Sequence, residues 1–253
     1  MRRNLAYTHC HALSIHQCTV KSRPEDRGRP ELRLRRLRRA ELPADTVELA
    51  RYLIGKVLVH DTGFARLSGR IVETEAYPVG DAAGHAYIGE TRRNRSLFLK
   101  RGHAYVYFSY GCWFLLNVTS EARGVGAGVL LRAIEPLDGK ELMAGYSGAK
   151  RWSDVGRGPG RLTEAMQVDL RQDGLDLCAR GPLWLAEAEP RARSIGKSAR
   201  IGITREAHRL LRFYERGNAH VSGPKKLEKG GGKRGDGPAA GLSKGKSRGK
   251  RRV

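Results

Sequence analysis

The sequence predicts an α+β domain built on a mainly antiparallel β-sheet. Several segments between residues 57 and 217 have the alternating or continuous apolar pattern of β-strands. Most connections between them are too short for the helical crossovers that parallel strands need. The chain has 253 residues, of which 40% are hydrophobic, enough for one large or two small domains. We therefore expect a single compact domain whose sheet is flanked by helices.

The folded part of the chain is expected to start at Leu42, and its first predicted element is a helix that follows Asp45. Asp45 and Glu48 stand three residues apart, which is the spacing of a capping box with Asp as the N-cap. Apolar residues between positions 47 and 54 follow the helical period, and Gly55 is a natural C-terminal stop. The folded part of the chain is therefore expected to start near this helix.

The strands follow in order, with two further helices between them. The predicted strands are VLVH (57–60), LSGRIVETEAY (67–77), HAYVYFS (103–109), WFLLNVT (113–119), VLLRAIEP (129–136), WLAEAE (184–189) and RLLRFYERG (209–217). The segment ELMAGYS (141–147) has a helical pattern, and GRGPGRLTEAM (156–166) is a Gly-rich loop that enters a helix. Such a loop could offer backbone N–H groups to a phosphate, although it matches no nucleotide-binding motif.

The charge of the chain lies mostly at its ends. The formal net charge is +22, with +8 in residues 1–40 and +9 in residues 225–253. We expect a basic, disordered leader (1–40), a folded domain (41–224) and a disordered Lys/Arg/Gly-rich tail (225–253). Residues 33–40 look like a basic linker or a helix extension. Basic ends favour nucleic acid or an anionic membrane surface as the partner, unless they are simply solvated.

Composition also bears on the compartment. No apolar run approaches the ~18–20 residues of a membrane helix. The four cysteines form no CxxC pair and are too few for a disulfide framework, which favours a reduced intracellular setting. We expect a cytoplasmic protein, with organelle or nuclear targeting through the basic ends left open.

Two carboxylates stand on the predicted strand 67–77. Glu73 and Glu75 should point to the same face as Tyr77, and strict alternation adds Ile71 to that face. Arg132 interrupts the apolar strand 129–136, and a buried arginine needs a partner. A carboxylate from a neighbouring strand is the expected partner. The pair could be a plain interior salt bridge or part of a site.

The strands 103–109 and 113–119 predict a hairpin with one aromatic face. Tyr105 and Tyr107 share a face, and Asn117 lies across the turn. For Tyr105 a packing role in the core is the favoured interpretation. Tyr110 sits at the turn, where a ring could enter a base stack. The loop TRRNR (91–95) contains three arginines, Arg92, Arg93 and Arg95. They suit phosphate contacts, although a loop that is simply solvated would have the same composition.

Taken in order, these segments resemble the alkyladenine (3-methyladenine) DNA glycosylase family. The resemblance is carried by LARYLIGKVLVH, GRIVETEAY, the loop around His85, RRNRSLF, YVYFSYGCWFLLNV, GVLLRAIEPLDG, GRGPGRL and RFYERGN. They run from about Leu42 to Ser222 and include neither end of the chain. The resemblance implies a compact antiparallel sheet with surrounding helices and a protruding hairpin that intercalates into DNA through the minor groove. It also implies a base-excision repair enzyme.

The resemblance further implies roles for individual residues. Glu75 matches the carboxylate that activates the attacking water, and Arg132 matches the arginine that places water and carboxylate. The remaining matches concern the base and the DNA: Tyr77, His85 and Tyr107 sandwich the flipped base, Asn117 discriminates against the 2-amino group of guanine, and Tyr110 fills the gap in the duplex. Glu73 has no role assigned by the resemblance.

The implied reaction needs neither a metal nor another cofactor. The expected activity is monofunctional hydrolysis of the N-glycosidic bond of alkylated or deaminated purines, leaving an abasic site. The expected partner is double-stranded DNA that contains damaged purines, with no membrane, and the protein is expected to be a monomer.

Two other functions fit parts of the sequence. A metal-dependent nuclease could use Glu73, Glu75 and a further acid as ligands, but it would leave the Tyr-rich hairpin unexplained. A non-enzymatic DNA- or RNA-binding protein would account for the basic ends, and a buried Arg132 does not by itself require catalysis.

Overall fold

The computed structural model describes residues 34–109, 111–187 and 194–223. In these ranges a nine-stranded sheet, antiparallel at every pairing, carries three α-helices, which confirms the predicted α+β class. The helices are α1 (Thr46–Leu53), α2 (Lys140–Ser147) and α3 (Pro159–Ala165). The strands are β1 (Arg35–Arg36), β2 (Val57–Asp61), β3 (Arg66–Tyr77), β4 (Ala104–Ser109), β5 (Trp113–Thr119), β6 (Gly128–Pro136), β7 (Leu183–Glu187), β8 (Ile195–Ser198) and β9 (Arg212–Glu215).

The long strand β3 organises the sheet. The main strand order is β1-β7-β2-β3-β6-β5-β4, so β3 lies in its centre. Its C-terminal part, around Glu73–Glu75, also pairs with β9, and β9 in turn pairs with β8. The strand that carries both predicted carboxylates is thus surrounded by other strands, and both side chains are fully buried.

Helix α1 forms as its sequence predicts. The Asp45 carboxylate accepts a hydrogen bond from the N–H of Glu48 (2.8 Å), and Gly55 takes a positive φ of 88° directly after the helix. The apolar face of the helix, including Leu49 and Leu53, is buried in the main core. The hydroxyl of Thr74 on β3 donates to the carbonyl of Ala50 (2.9 Å), which ties α1 to the strand that carries the carboxylates.

Two irregularities between β3 and β6 change which residues share a face. The register runs from Ile71 opposite Ile134 to Glu73 opposite Ala133, and then to Thr74 opposite Leu131. Each strand therefore contains one extra residue, Val72 on β3 and Arg132 on β6. Ile71 and Ile134 belong to the hydrophobic core, as do Ala76 and Val129, while Glu73 and Glu75 contact Arg132. The expectation that Ile71 shares a face with the carboxylates was wrong, because strict alternation does not survive a bulge.

The folded part begins earlier than the expected boundary at residue 41. Arg35 and Arg36 pair with Glu187 and Ala186 of β7, and the N–H of Leu37 donates to the carbonyl of Leu185 (2.9 Å). Leu37 is fully buried in the core. Residues 35–37 are thus not a linker, because their backbone completes the edge of β7 and Leu37 fills the core beneath it, and a short 3₁₀ helix, Arg39–Glu41, follows them before α1 begins. Residues 1–33 and the tail from 224 onward lie outside the described residues.

Most other predicted elements are present, with small differences at their ends. The last strand covers Arg212–Glu215 rather than 209–217, and β8 was not predicted. The hairpin β4–β5 pairs from Ala104 opposite Val118 to Ser109 opposite Trp113. That this hairpin protrudes and enters DNA remains a prediction. Over the described ranges, we find no helix with the length and apolar character of a membrane span.

Candidate active site

A pocket of about 240 Å³ opens on the face of the sheet that carries the carboxylates. Its walls come from the loop that follows β3, from the aromatic face of β4–β5, from β6 and from the segment at Ile201–Ile203. Nine of its side chains are polar or aromatic, namely Tyr77, Asp81, His85, Tyr87, Tyr105, Tyr107, Ser109, Asn117 and Arg132. Five of these were predicted as site residues, and they come from β3, the loop after it, β4, β5 and β6.

Three aromatic rings form one wall of the pocket. Tyr105 and Tyr107 stack with their centroids 5.2 Å apart, and the His85 ring lies 4.3 Å from Tyr107. His85 Nδ1 and the Tyr105 hydroxyl share a hydrogen bond of 2.8 Å. Burial, aided by the charge of Arg93, lowers the pKa of His85, which favours the neutral imidazole. The wall is therefore aromatic and uncharged at neutral pH.

Asn117 supplies an amide on β5 at the side of this wall. The side chain is buried, and its Nδ2 donates to the carbonyl of Tyr105 on the paired strand (3.2 Å). Because Asn117 also lines the pocket, this bond fixes the orientation of an amide that a ligand would meet.

Glu75 lies behind the pocket wall and is held on both oxygens. Its Oε1 accepts from the N–H of Ile201 (2.7 Å) and lies 3.3 Å from Nη1 of Arg132. Its Oε2 accepts from the hydroxyl of Tyr77 (3.0 Å). Burial raises the pKa of Glu75, and the charge of Arg132 with these hydrogen bonds opposes that rise. The result is a buried carboxylate that can take up a proton more readily than an exposed one.

Arg132 joins Glu75 to Glu73, as a buried arginine on β6 was expected to do. Its Nε donates to Oε1 of Glu73 (2.8 Å), and its Nη1 faces Glu75. Burial alone would lower the pKa of Arg132, but the charges of Glu75 and Glu73 outweigh it and raise the value. Arg132 is therefore a fixed positive charge that touches both the pocket and the carboxylate behind it.

Comparison with known proteins assigns the chain to a family. Residues 40–219 match the family model described as Methylpurine-DNA glycosylase (MPG). The chain belongs to the methylpurine-DNA glycosylase family. Two bacterial proteins, each named "Putative 3-methyladenine DNA glycosylase", are among its relatives. The one from Mesorhizobium japonicum is 60% identical over 190 residues, which cover 75% of this chain and 91% of the relative. The one from Paraburkholderia phytofirmans is 53% identical over 191 residues, which cover 76% and 90%.

Membership of the methylpurine-DNA glycosylase family defines the enzyme class of this protein. The protein is a DNA glycosylase, a hydrolase of N-glycosyl bonds, and DNA is its substrate class. More distant relatives with the same name include one from Chlorobium phaeobacteroides, 44% identical over 71% of this chain and 92% of the relative. The matched region contains every residue of the pocket described above.

The structure shows residues in and around the pocket that the sequence did not reveal. Tyr105 was assigned to the core, yet its ring is both buried and part of the pocket wall. Arg200 lies over the ring of Tyr77 at 4.6 Å and pairs with Asp81, and both charged side chains are fully buried. Asp81 and Arg200 are 119 residues apart, so no local pattern could have linked them. This pair fixes the loop after β3 and supports Tyr77 from behind.

Three of the predicted DNA contacts of this glycosylase lie at residues 91–95. Arg92, Arg93 and Arg95 are all exposed on one loop. The guanidinium of Arg93 donates to the carbonyl of Phe108 near the end of β4 (2.9 Å), which links the loop to the hairpin. Tyr110, the predicted intercalating residue, lies outside the described residues. Contact of these residues with DNA remains a prediction.

The carboxylates of the pocket lack the surroundings of a metal site. In residues 34–109, 111–187 and 194–223 no three His, Cys, Asp or Glu side chains are grouped closely enough to hold a metal ion. Glu73 and Glu75 are instead bonded to arginine side chains. Within these ranges the metal-dependent nuclease therefore has no ligand set.

The Gly-rich segment 156–162, which could have offered backbone N–H groups to a phosphate, has a packing role at Gly160. An added Cβ at Gly160 would meet the Trp113 ring at 2.6 Å.

Proposed function

We propose that this protein removes N-alkylated purines from double-stranded DNA, with 3-methyladenine and 7-methylguanine as the central substrates. Hypoxanthine and ethenoadenine extend the proposed range. The product is an abasic site in an intact strand. One observation carries the proposal: a buried carboxylate, Glu75, stands directly behind an aromatic pocket and is oriented by an arginine, a tyrosine and a backbone N–H.

The pocket suits a single flipped base. Enzymes that act on a base in a duplex extrude it and read it by stacking and by hydrogen bonds to its edge. At about 240 Å³ the cavity is smaller than the ~300–1,000 Å³ of sites for drug-sized ligands. We propose that Tyr77 stacks on one face of the base and that His85 and Tyr107 stack on the other. In this arrangement the fixed amide of Asn117 rejects the 2-amino group of normal guanine.

The chemistry is hydrolysis with Glu75 as the base. The carboxylate removes a proton from a water molecule as the water oxygen forms a bond to C1′ of the sugar. The bond from C1′ to the purine nitrogen breaks, and the nitrogen keeps the electron pair. An alkylated purine is cationic in DNA and leaves as a neutral base, so it needs no strong general acid. Glu75 also stabilises the positive charge that develops on the sugar.

Arg132 would hold both the carboxylate and the water. Its guanidinium lines the pocket and lies 3.3 Å from Glu75, so it is close enough to contact a water molecule placed between that carboxylate and a sugar. As a permanent cation it also helps to keep Glu75 ionised despite burial.

The proposed function also requires contacts between the protein and the DNA around the flipped base. We propose that Arg92, Arg93 and Arg95 contact phosphates and that Tyr110 fills the space left by the flipped nucleotide. The enzyme is proposed to act as a monomer in the cytoplasm.

The lining of the pocket also bears on strand cleavage. Among the described residues that line the pocket none is a lysine, so no amine is placed to form an imine with the sugar. This supports a monofunctional glycosylase without strand cleavage.

The test is single-turnover base release with chelator present. The substrates are methylated duplex DNA and duplexes that carry hypoxanthine or ethenoadenine. Wild type is compared with Glu75→Gln and with a matched control, Glu187→Gln, which removes a carboxylate bonded to Lys56 (2.7 Å) outside the pocket. We expect release by wild type and the control, and loss in Glu75→Gln with DNA binding retained.

Other outcomes of this test point elsewhere. Equal release by Glu75→Gln and wild type would remove Glu75 from the mechanism. Binding without release from any lesion would favour the non-enzymatic DNA-binding protein. Release accompanied by strand cleavage before alkali treatment would contradict a monofunctional enzyme.

A further inference from the structure

The second buried carboxylate, Glu73, accepts four hydrogen bonds, and the proposed reaction does not use it. Its Oε1 accepts from Nε of Arg132 (2.8 Å), from Nε of Arg212 (2.7 Å) and from the hydroxyl of Ser222 (2.9 Å). Its Oε2 accepts from the N–H of Ser222 (2.6 Å). With four donors and no exposure, Glu73 is a poor candidate for a second base.

The bonds to Glu73 determine where Arg132 points. Arg132 is the extra residue in the bulge of β6, so its position does not follow from the regular pleat. Glu73 holds its Nε, and the Ser222 hydroxyl accepts from its Nη2 (3.3 Å). With Nε and Nη2 engaged on one side of a rigid planar group, Nη1 is directed towards Glu75.

Arg212 balances the charge of this arrangement. It is fully buried on β9, pairs with Glu73, and donates to Ser198 Oγ (2.9 Å) and to the carbonyl of Ser222 (2.7 Å). Two carboxylates and two guanidinium groups thus form one neutral buried cluster. Without Arg212 a single arginine would serve both carboxylates, and Glu73 would compete with Glu75 for it.

We propose that Glu73 is a positioning residue for base excision: it fixes the guanidinium of Arg132 against Glu75, with Arg212 and Ser222 holding Glu73 in place. This inference rests on the proposed role of Glu75 as the base. It also makes the segment up to Ser222 part of the active site, because that segment supplies two of the four donors to Glu73.

A positioning role has a consequence for pH dependence that simple structural support lacks. The charged and titratable groups that face Glu75 are Arg132 on β6, Tyr77 and Glu73 on its own strand, and Arg212 in register with it on β9. The nearby segment at Ile201 contributes a backbone N–H. A shorter side chain at position 73 that keeps its charge would let Arg132 withdraw from Glu75. The ionised form of Glu75 then becomes less favourable, and the acid limb of the rate profile moves to higher pH.

The experiment measures single-turnover release of an N-methylated purine from duplex DNA between pH 4.5 and 8, with the full-length protein. Glu73→Gln removes the charge, Glu73→Asp keeps it but shortens the reach, and Glu187→Gln is the control. We expect both Glu73 variants to lose about 100-fold in rate, as misplacement of a positioned group can cause. The acid limb should move to higher pH in Glu73→Asp, because Arg132 no longer stabilises the ionised form of Glu75, and it should stay in place in Glu187→Gln.

The outcomes separate this inference from the proposed function. A folded Glu73→Gln with a rate within about threefold of wild type, or a Glu73→Asp with a reduced rate and an unmoved acid limb, would overturn the positioning role. If Glu73→Gln does not fold, Glu73→Asp and Ser222→Ala decide the question: wild-type rates in both would overturn the inference, and reduced rates with wild-type melting temperatures would support it. Retained activity in Glu75→Gln would instead overturn the proposed function itself.

Discussion

Replacing Tyr77 with phenylalanine tests how the pocket controls its carboxylate. The Tyr77 hydroxyl donates to Oε2 of Glu75 (3.0 Å), while the ring forms part of the pocket wall. Phenylalanine keeps the ring and removes this donor. A hydrogen bond to a charged group contributes about 1.5–3 kcal/mol, and one pKa unit corresponds to about 1.4 kcal/mol. We therefore expect the pKa of Glu75, which burial already raises, to rise further by about one to two units.

The direction of this change in the pKa of Glu75 determines which way the pH profile of base release should move. Loss of the donor disfavours the ionised form, so less base is present at acidic pH and the acid limb of single-turnover base release moves to higher pH. The plateau rate should change little, because a carboxylate of higher pKa is a stronger base. Tyr105→Phe is the matched control, since it loses a hydroxyl bonded to His85 on the other side of the pocket. Acid limbs at the same pH in both variants would refute the reasoning.

Three further predictions concern stability and DNA binding. Asp81→Ala leaves Arg200 buried without its carboxylate and should cost about 3–5 kcal/mol in chemical denaturation; adding Arg200→Met should recover part of that loss. Gly160→Ala should cost about 1–3 kcal/mol, because the methyl group meets an indole ring at 2.6 Å. By contrast, Gly145→Ala in α2 has open space and should stabilise by about 0.5–1 kcal/mol in the same assay. Deleting 225–253, which carries a net charge of +9, should weaken DNA affinity and flatten its salt dependence in binding titrations. The single-turnover rate at saturating enzyme should stay unchanged, and a large loss would contradict an accessory role.

Features with local causes were predictable from the sequence. The Asp45 cap and the Gly55 stop define α1, and both act within a few residues of their own position. The hairpin β4–β5 is equally local, since its two strands are separated by a short turn. The arginine in an apolar strand predicted a carboxylate partner, because burial of an unpaired charge is costly wherever the chain folds.

Features that depend on register or on distant partners were not predictable. The extra residues Val72 and Arg132 shift alternation in two strands at once, and neither is the glycine that marks a G1 bulge in a sequence. As a result, Ile71 was placed on the wrong face. Arg212 and Ser222 are 139 and 149 residues from Glu73, and only the assembled sheet brings them to it. The strand before α1 was missed because two arginines and one leucine carry no strand period.

A strongly basic DNA glycosylase can hold two carboxylates next to its pocket, because their charges act differently on a bound sugar and on distant DNA phosphates. Glu73 and Glu75 are balanced by Arg132 and Arg212 within hydrogen-bond or ion-pair distance, so the cluster has no net charge. The field of a neutral cluster falls off faster than that of a single charge, and phosphates beyond about 10 Å are screened by salt as well. DNA attracted by the basic ends therefore experiences little repulsion from the pocket. A sugar bound next to Glu75 would lie within a few ångströms, in a poorly hydrated site where electrostatic interactions are strongest. The same carboxylate can thus stabilise positive charge at the reaction centre without weakening DNA binding, and Glu75→Gln should change DNA affinity far less than it changes the rate.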